Sequence, residues 1–229
     1  MRSAAGVSMG EVNPITNLWL VRHGEPAAEK RQMCCVAQDT GLSETGLLQM
    51  ASVASYLKDE PLATVYSSPL TRALQSARIL ASARQWPLEV VPDLRELDFG
   101  EFTGLTFDEI DRRDPNLYRR WMNAPTGVRF PNGENFRDVR ARVLKSFDVI
   151  RRERAGQTSV IVGHAGVNRI LIAHALGMPE LNLFRLGQDH AAVSLLRFVD
   201  DIPSVQLLNH CVARHQEMTN GASRLVDTG

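Results

Sequence analysis

Cysteine is scarce in this sequence. There are three in 229 residues, Cys34, Cys35 and Cys211. An odd number without a pairing pattern implies neither a disulfide framework nor a cysteine-rich zinc motif. An excess of one charge is lacking as well: lysine plus arginine equals aspartate plus glutamate at 26 each. That removes the basic footprint expected of a nucleic-acid-binding chain. No apolar run approaches the roughly 20 residues of a membrane span. The opening stretch, MRSAAGVSMGEVNPITN, has one arginine and no apolar centre, so it does not read as a secretory signal. It reads as a flexible arm over residues 1–16, with Met9 as an alternative start. Internal repeats, low-complexity tracts and linkers are missing too. With 44% hydrophobic and 23% charged residues, a disordered chain is excluded and a globular, cytoplasmic protein is expected. Neither nucleic acid nor membrane is expected as a partner, and a homodimer stays open.

What is present is an alternation of short apolar runs and longer helical patterns. LWLV (18–21) precedes a helical stretch from Glu44 to Leu57. ATVYSS (63–68) precedes PLTRALQSARILASA, and TSVIVGH (158–164) precedes AGVNRILIAHAL. Runs apolar throughout, such as VIVG, suit strands covered on both faces, and the alternation predicts a parallel α/β sheet. Residues 134–156 form the clearest amphipathic helix, with Phe136, Val139, Val143, Phe147 and Ile150 at steps of three and four and Gly156 at its stop. TFDE (106–109) fits a capping box. AVSLLRF (192–198) and VQLLN (205–209) fit a terminal hairpin around Asp201 and Pro203. Beyond Asn209 the periodicity fades, leaving a tail over residues 210–229. One domain over residues 17–209, with a helical excursion near 102–135, is the economical organisation.

Three predicted strands end alike. The first ends at Arg22-His23-Gly24. The second ends at Ser67-Ser68-Pro69, where Ser68 suits an N-cap and Pro69 the first helical position, with Arg72 on the first turn. The third ends at Gly163-His164-Ala165-Gly166. Ligands of open α/β sheets sit outside the carboxyl ends of the strands. If these strands are neighbours, Arg22, His23, Arg72 and His164 converge on an anion site, for which guanidinium forks and helix N-termini are suited. Taken singly, each has a plainer reading: a histidine at a strand end is usually polar surface, and an arginine on a helix usually faces solvent. His174, inside LIAHAL, reads as a helix-packing residue. The loop LRELDFGEFTG (94–104) adds Glu96, Asp98 and Glu101 as candidate proton donors, among which position alone does not choose.

The segments LVRHGEP, SSPLTRALQSA, LRELDFGEFTG, FPNGENFRDVRARV and VIVGHAGVNRILIAHALG, in this order, resemble the histidine phosphatase superfamily, also called phosphoglycerate mutase-like. The resemblance runs from Asn17 to Asn209. It implies a three-layer α/β/α fold with a mostly parallel central sheet. It also implies residue roles: His23 as the nucleophile that becomes phosphohistidine, Arg22, Arg72 and His164 as the rest of the phosphate pocket, and Glu96 as the proton donor. No cofactor and no metal are called for, because cationic side chains take the metal's part. Gly24 would let a phosphate approach the backbone. His164 would be protonated. Gln38 and Ala165 are candidate substrate contacts. Glu29 stands where many relatives have asparagine, Ala37 where glycine is common, and Asn135 where the PxGES pattern has serine.

The function implied is that of a phosphomonoesterase acting on a small phosphorylated metabolite. The bisphosphoglycerate-dependent mutases of the same superfamily carry ERHYG or ERYYG and a long insertion before the second histidine. This chain has ELDFGEF and no such insertion. A catalytically inactive interaction protein is the other alternative, and the presence of all five matched side chains argues against it. FRLGQDHAAVSLLRF and the CxAQD stretch are similar to the α-ribazole phosphatase group, which makes α-ribazole 5′-phosphate a candidate substrate.

Overall fold

The computed structural model describes residues 14–27 and 39–212. Gln38, Glu29, Ala37, Cys34, Cys35, most of the N-terminal arm and most of the C-terminal tail lie outside the described residues. Six strands form one sheet: β1 (Ile15–Arg22), β2 (Leu62–Ser67), β3 (Leu88–Val90), β4 (Thr158–Gly163), β5 (Val193–Val199) and β6 (Ile202–His210). Their order is β3-β2-β4-β1-β5-β6. The first four are parallel to one another, β5 pairs antiparallel with β1, and β6 pairs antiparallel with β5. The predicted hairpin is thus present, turning at Asp200, whose φ is 55°. The three-residue β3 is too short to announce itself by periodicity.

Alternate residues of the central strands feed two cores. Leu18, Leu20, Tyr66 and Ile161 face one side, where they meet Val139, Val143 and Phe147 of α5 (Phe136–Glu153) and Val167, Ile170 and Leu171 of α6 (Ala165–Ala175). Trp19, Val21, Val65, Val160 and Val162 face the other, against Met50, Val53 and Leu57 of α1 (Glu44–Leu57) and Ala73, Ala77 and Leu80 of α2 (Thr71–Ser82). This is why LWLV and VIVG are apolar throughout. Each such buried side chain contributes roughly 1.5–3 kcal/mol, so β1 and β4 are the most firmly held elements of the sheet. The excursion before α5 contains α3 (Phe107–Arg113) and α4 (Pro115–Asn123). Phe99, Trp121 and Phe130 meet edge to face within it, their ring centres 4.9 to 6.0 Å apart.

Capping explains several boundaries. Thr106 and Glu109 form the expected capping box at α3. Asn135 caps α5 in the same reciprocal way: its side chain accepts from the Asp138 N–H at 3.0 Å, and Asp138 accepts from the Asn135 N–H at 3.1 Å. Asparagine therefore does the work that serine's hydroxyl could do at this position. One expected cap is corrected. Helix α2 begins at Thr71, not Pro69, and its N-cap, Leu70, has no side-chain bond. Asp39 instead accepts from both the backbone N–H and the hydroxyl of Thr71.

Asn135→Ala is expected to lower the stability of the protein by about 1 kcal/mol, while Asn135→Ser changes it by a few tenths. Urea unfolding of the three proteins checks this, and an unchanged midpoint for the alanine variant would refute the capping role.

Candidate active site

The carboxyl ends of the three central strands are level. Arg22 pairs in register with Gly163, and Ser67 with Val162. The ladder continues one residue further, with the His23 N–H donating to the Gly163 carbonyl and the Ser68 N–H to the Val162 carbonyl, both at 3.0 Å. His23, Ser68 and His164 therefore sit side by side just past the sheet, all three buried. Arg72 joins them from the first turn of α2, and Arg22 from the end of β1.

His23 is held in one tautomer. Its Nδ1 lies 2.7 Å from the Gly24 carbonyl, which can only accept, so Nδ1 carries the proton. Its Nε2 receives the Nε–H of Arg72 at 3.3 Å, so Nε2 keeps its lone pair. Both contacts demand the same neutral imidazole. The ring of His164 lies 5.1 Å away, centre to centre. The His164 Nε2 is 2.7 Å from the Ser68 hydroxyl, which also accepts the Leu70 N–H at 3.3 Å. Gly24 also has a packing role. A β-carbon there would stand 2.6 Å from the Gly46 carbonyl of α1, and one on Gly46 would collide with the Glu25 carbonyl. The two glycines let the turn after β1 pack directly on α1.

Glu96 reaches the same place from the loop after β3. Its Oε2 accepts the Gly166 N–H and its Oε1 accepts the Leu97 N–H, each at 3.0 Å. Gly166 has no room for a β-carbon, which would strike that carboxylate. The loop is clamped from behind by Arg142 of α5. Its guanidinium donates to the carbonyls of Asp93, Arg95 and Glu96 at 2.5, 2.7 and 3.1 Å, and to both oxygens of Glu134 at 2.9 and 2.8 Å. Glu134 in turn accepts the Asp98 N–H at 3.1 Å. Of the three candidate donors, only Glu96 is built into the pocket. Glu101 pairs with Arg113, and Asp98 accepts from the Gly100 N–H near the surface. Ala165 is the first residue of α6 and half-buried. His174 is exposed and lines a small surface cavity, rather than packing in the core as its sequence neighbours suggest.

The electrostatics follow from burial and sign. Desolvation, then the neighbouring His164, Arg72 and Arg22, pushes the His23 pKa well below its ordinary value. Desolvation, then Arg72 and Arg22, does the same to His164. His164 is thus held neutral by these surroundings. Two residues that sequence reasoning did not select complete the group. The Arg22 Nη2 lies 2.7 Å from Nε2 of His190, and its Nη1 donates to the Gln188 carbonyl at 2.5 Å. Burial, then Arg22, lowers His190 to about 3. Nothing local in GQDHAA marks His190; only the β1–β5 pairing brings it to Arg22.

Guanidiniums and neutral imidazoles gathered at the strand ends of an α/β sheet, with a carboxylate at one side, form a cationic pocket of the kind that suits an anion. The model of the histidine phosphatase superfamily (branch 1) matches residues 18–210, and the chain belongs to that superfamily. The fold is the phosphoglycerate mutase-like one expected. It superimposes on the crystal structure of the α-ribazole phosphatase from Shigella flexneri with a TM-score of 0.79 and 29% identity, covering 85% of this chain and 96% of that one. A bifunctional protein of Mycobacterium tuberculosis is 38% identical over 196 residues, 85% of this chain, which spans only 54% of that relative's length. Phosphoserine phosphatase 1 of Hydrogenobacter thermophilus is 32% identical over 184 residues, covering 80% of this chain and 86% of that one.

Buried neutral histidines make stability depend on pH. The folded pKa values of His23 and His164 lie below the unfolded value of about 6.5, so the unfolded state binds more protons as pH falls. The contribution of these groups is constant above that value and drops below it, by roughly 1 kcal/mol per histidine between pH 7.5 and 5.5. Urea unfolding at both pH values is expected to show a smaller loss in the His23→Asn, His164→Asn double variant than in the wild type. Equal losses would contradict the assignment.

Proposed function

We propose that the chain is a phosphomonoesterase that works through a phosphohistidine on His23 and needs no metal. One observation carries this reading: the Gly24 carbonyl and Arg72 together leave a neutral His23 with its Nε2 lone pair directed among cationic groups. In the first step that lone pair attacks phosphorus, the P–N bond forms, and the P–O bond to the leaving group breaks. Glu96 gives its proton to the leaving oxygen. In the second step water attacks phosphorus and gives a proton to Glu96. The P–N bond then breaks, and its electron pair returns to Nε2. Arg22, Arg72 and His164 hold the equatorial oxygens through both displacements. A phosphoryl dianion among them offsets the two guanidiniums, and His164 can then carry the proton that its empty surroundings disfavour.

The substrate class is a small phosphate monoester. The likeness to the α-ribazole phosphatase structure makes α-ribazole 5′-phosphate the first member of a panel, with phosphoserine and sugar phosphates beside it. Phosphate release across that panel, in the presence of a chelator, is the direct test. Turnover that vanishes in chelator and returns with a divalent ion would overturn the metal-free reading.

With substrate and a quench that avoids acid, one acid-labile phosphoryl group is expected on His23. His23→Ala removes both label and turnover. Glu96→Gln slows phosphorylation by ordinary esters much more than by p-nitrophenyl phosphate, whose leaving group hardly needs an acid. Phosphohistidine then accumulates, because hydrolysis still lacks its base. A label on another residue, or transfer to phosphoglycerate outrunning phosphate release, would reject the assignment. Arg72→Ala is expected to lower kcat/KM by on the order of 10²-fold or more while the protein stays folded, since it removes a buried donor that aligns on the reacting group. Near-normal turnover in that variant would show the pocket to be drawn wrongly.

A further inference from the structure

We propose that His190 is a positioning residue of the phosphate site, whose Nε2 accepts from the Arg22 guanidinium and fixes its orientation beside His23. The proposal rests on the phosphatase reading above. Arginine can only donate, so the 2.7 Å contact makes Nε2 of His190 an acceptor and places the ring proton on Nδ1. The same ring lies 5.5 Å from that of His23, tilted by 41°. One imidazole thus touches both the guanidinium and the nucleophile.

The backbone around His190 is tied to the same two residues. The Arg22 N–H donates to the Ala192 carbonyl and the Ala191 N–H to the His23 carbonyl, each at 3.1 Å. The Arg22 Nη1 donates to the Gln188 carbonyl. Ala191 has φ of 53°, a left-handed turn that a residue with a β-carbon adopts only when its surroundings impose it. From the other side, Asn209 of β6 fixes the strap. Its Oδ1 accepts the Asp189 N–H at 2.7 Å and its Nδ2 donates to Asp189 at 3.0 Å. Beside His190 is a cavity of about 220 Å³ with a mixed lining that includes Glu25, Gln49, Val53, Asp189 and Val212.

The chemistry of the acceptor matters. A carboxylate at this place would orient Arg22 but cancel the charge that a phosphoryl group needs. A neutral imidazole orients the fork and leaves its charge intact. Preordering a long guanidinium chain before the substrate arrives removes an ordering cost from binding and from the displacement.

The test uses the full chain with His190→Phe, which keeps a ring and loses the acceptor, and His190→Gln, whose amide oxygen can reach where Nε2 was. Calorimetry with inorganic phosphate reads the site without any turnover. Steady-state kinetics with p-nitrophenyl phosphate gives kcat and KM. The phenylalanine variant is expected to weaken phosphate binding and kcat/KM by roughly 10–100-fold, the range seen when a residue that orients a ligand-binding group is lost. Glutamine is expected to recover most of that loss. In an Arg22→Ala background, His190→Phe is expected to add nothing, because its effect passes through Arg22. Should the phenylalanine variant fail to melt cooperatively, His190→Asn, too short to reach Arg22, takes its place. Wild-type-like binding in the variant, losses that multiply with Arg22→Ala, or a glutamine variant as weak as phenylalanine would each overturn the proposal. Failure of the phosphatase reading looks different: the wild type then releases no phosphate and carries no phosphohistidine, while phosphate binding still reports on His190.

Discussion

Two guanidiniums and three imidazoles share one small pocket, and the neutrality of the imidazoles is what lets them. Protonating His23 beside Arg72 would set two cations about 3.3 Å apart in a buried setting. Like charges so placed repel strongly where water cannot screen them. The pocket avoids this by giving His23 only contacts that suit its neutral form. The Gly24 carbonyl takes the Nδ1 proton and Arg72 takes the Nε2 lone pair. His190 is treated likewise by Arg22. The arginines remain the source of positive charge, and the histidines stay available for nucleophilic and acceptor roles. A site assembled this way is cationic overall yet keeps an unprotonated imidazole nitrogen, bonded to the Arg72 Nε–H, at its centre.

The scaffold keeps this arrangement by placing each charged group on an element that something else immobilises. Arg22 and His23 end the central strand, whose side chains from Leu18 to Val21 are buried on both faces. His164 and Gly166 open α6, whose N-cap, His164, directly follows Gly163, the last residue of β4. Glu96 has no such element of its own and sits in a loop between two short 3₁₀ turns. Arg142 and Glu134 supply the missing rigidity. One guanidinium crossing three backbone carbonyls does for the loop what a sheet ladder does for β1. The pair is largely buried, and Arg142 and Arg95 hold Glu134 ionised below its usual range despite the opposing effect of burial. An ion pair of this kind is better evidence of precise placement than of stability.

Much of the fold was legible because its signals are local. The bounds of α1, the capping box at Thr106, the steps of α5 and the fully apolar central strands all follow from neighbours a few residues apart. The convergence of Arg22, His23, Arg72 and His164 was legible too, since strand-to-helix junctions of a parallel sheet share one edge. The rest shares a physical cause. Ser68-Pro69 has the local chemistry of a helix start, but the helix begins two residues later, where Asp39 accepts from Thr71, and the serine hydroxyl meets His164, 96 residues away, as well as the Leu70 N–H. Gly24 gives no local sign that its missing β-carbon makes room for Gly46 of α1. Contacts between distant elements decide both cases, and pattern alone carries no trace of them.

His190 shows the same limit at the site itself. A histidine preceded by aspartate and followed by two alanines looks like a loop residue on the way into a strand. Its place beside Arg22 comes from the antiparallel pairing of β5 with β1, which aligns Val193 with Val21. The parallel strands deliver their polar and charged side chains at one edge because all of them end there. β5 runs the other way, so it is the start of β5, not its end, that meets that edge. The segment entering β5 must therefore cross the mouth of the pocket before it can join the sheet. Adding an antiparallel strand beside the central strand thus gives the pocket a wall that the parallel strands could not supply, and His190 stands in that wall.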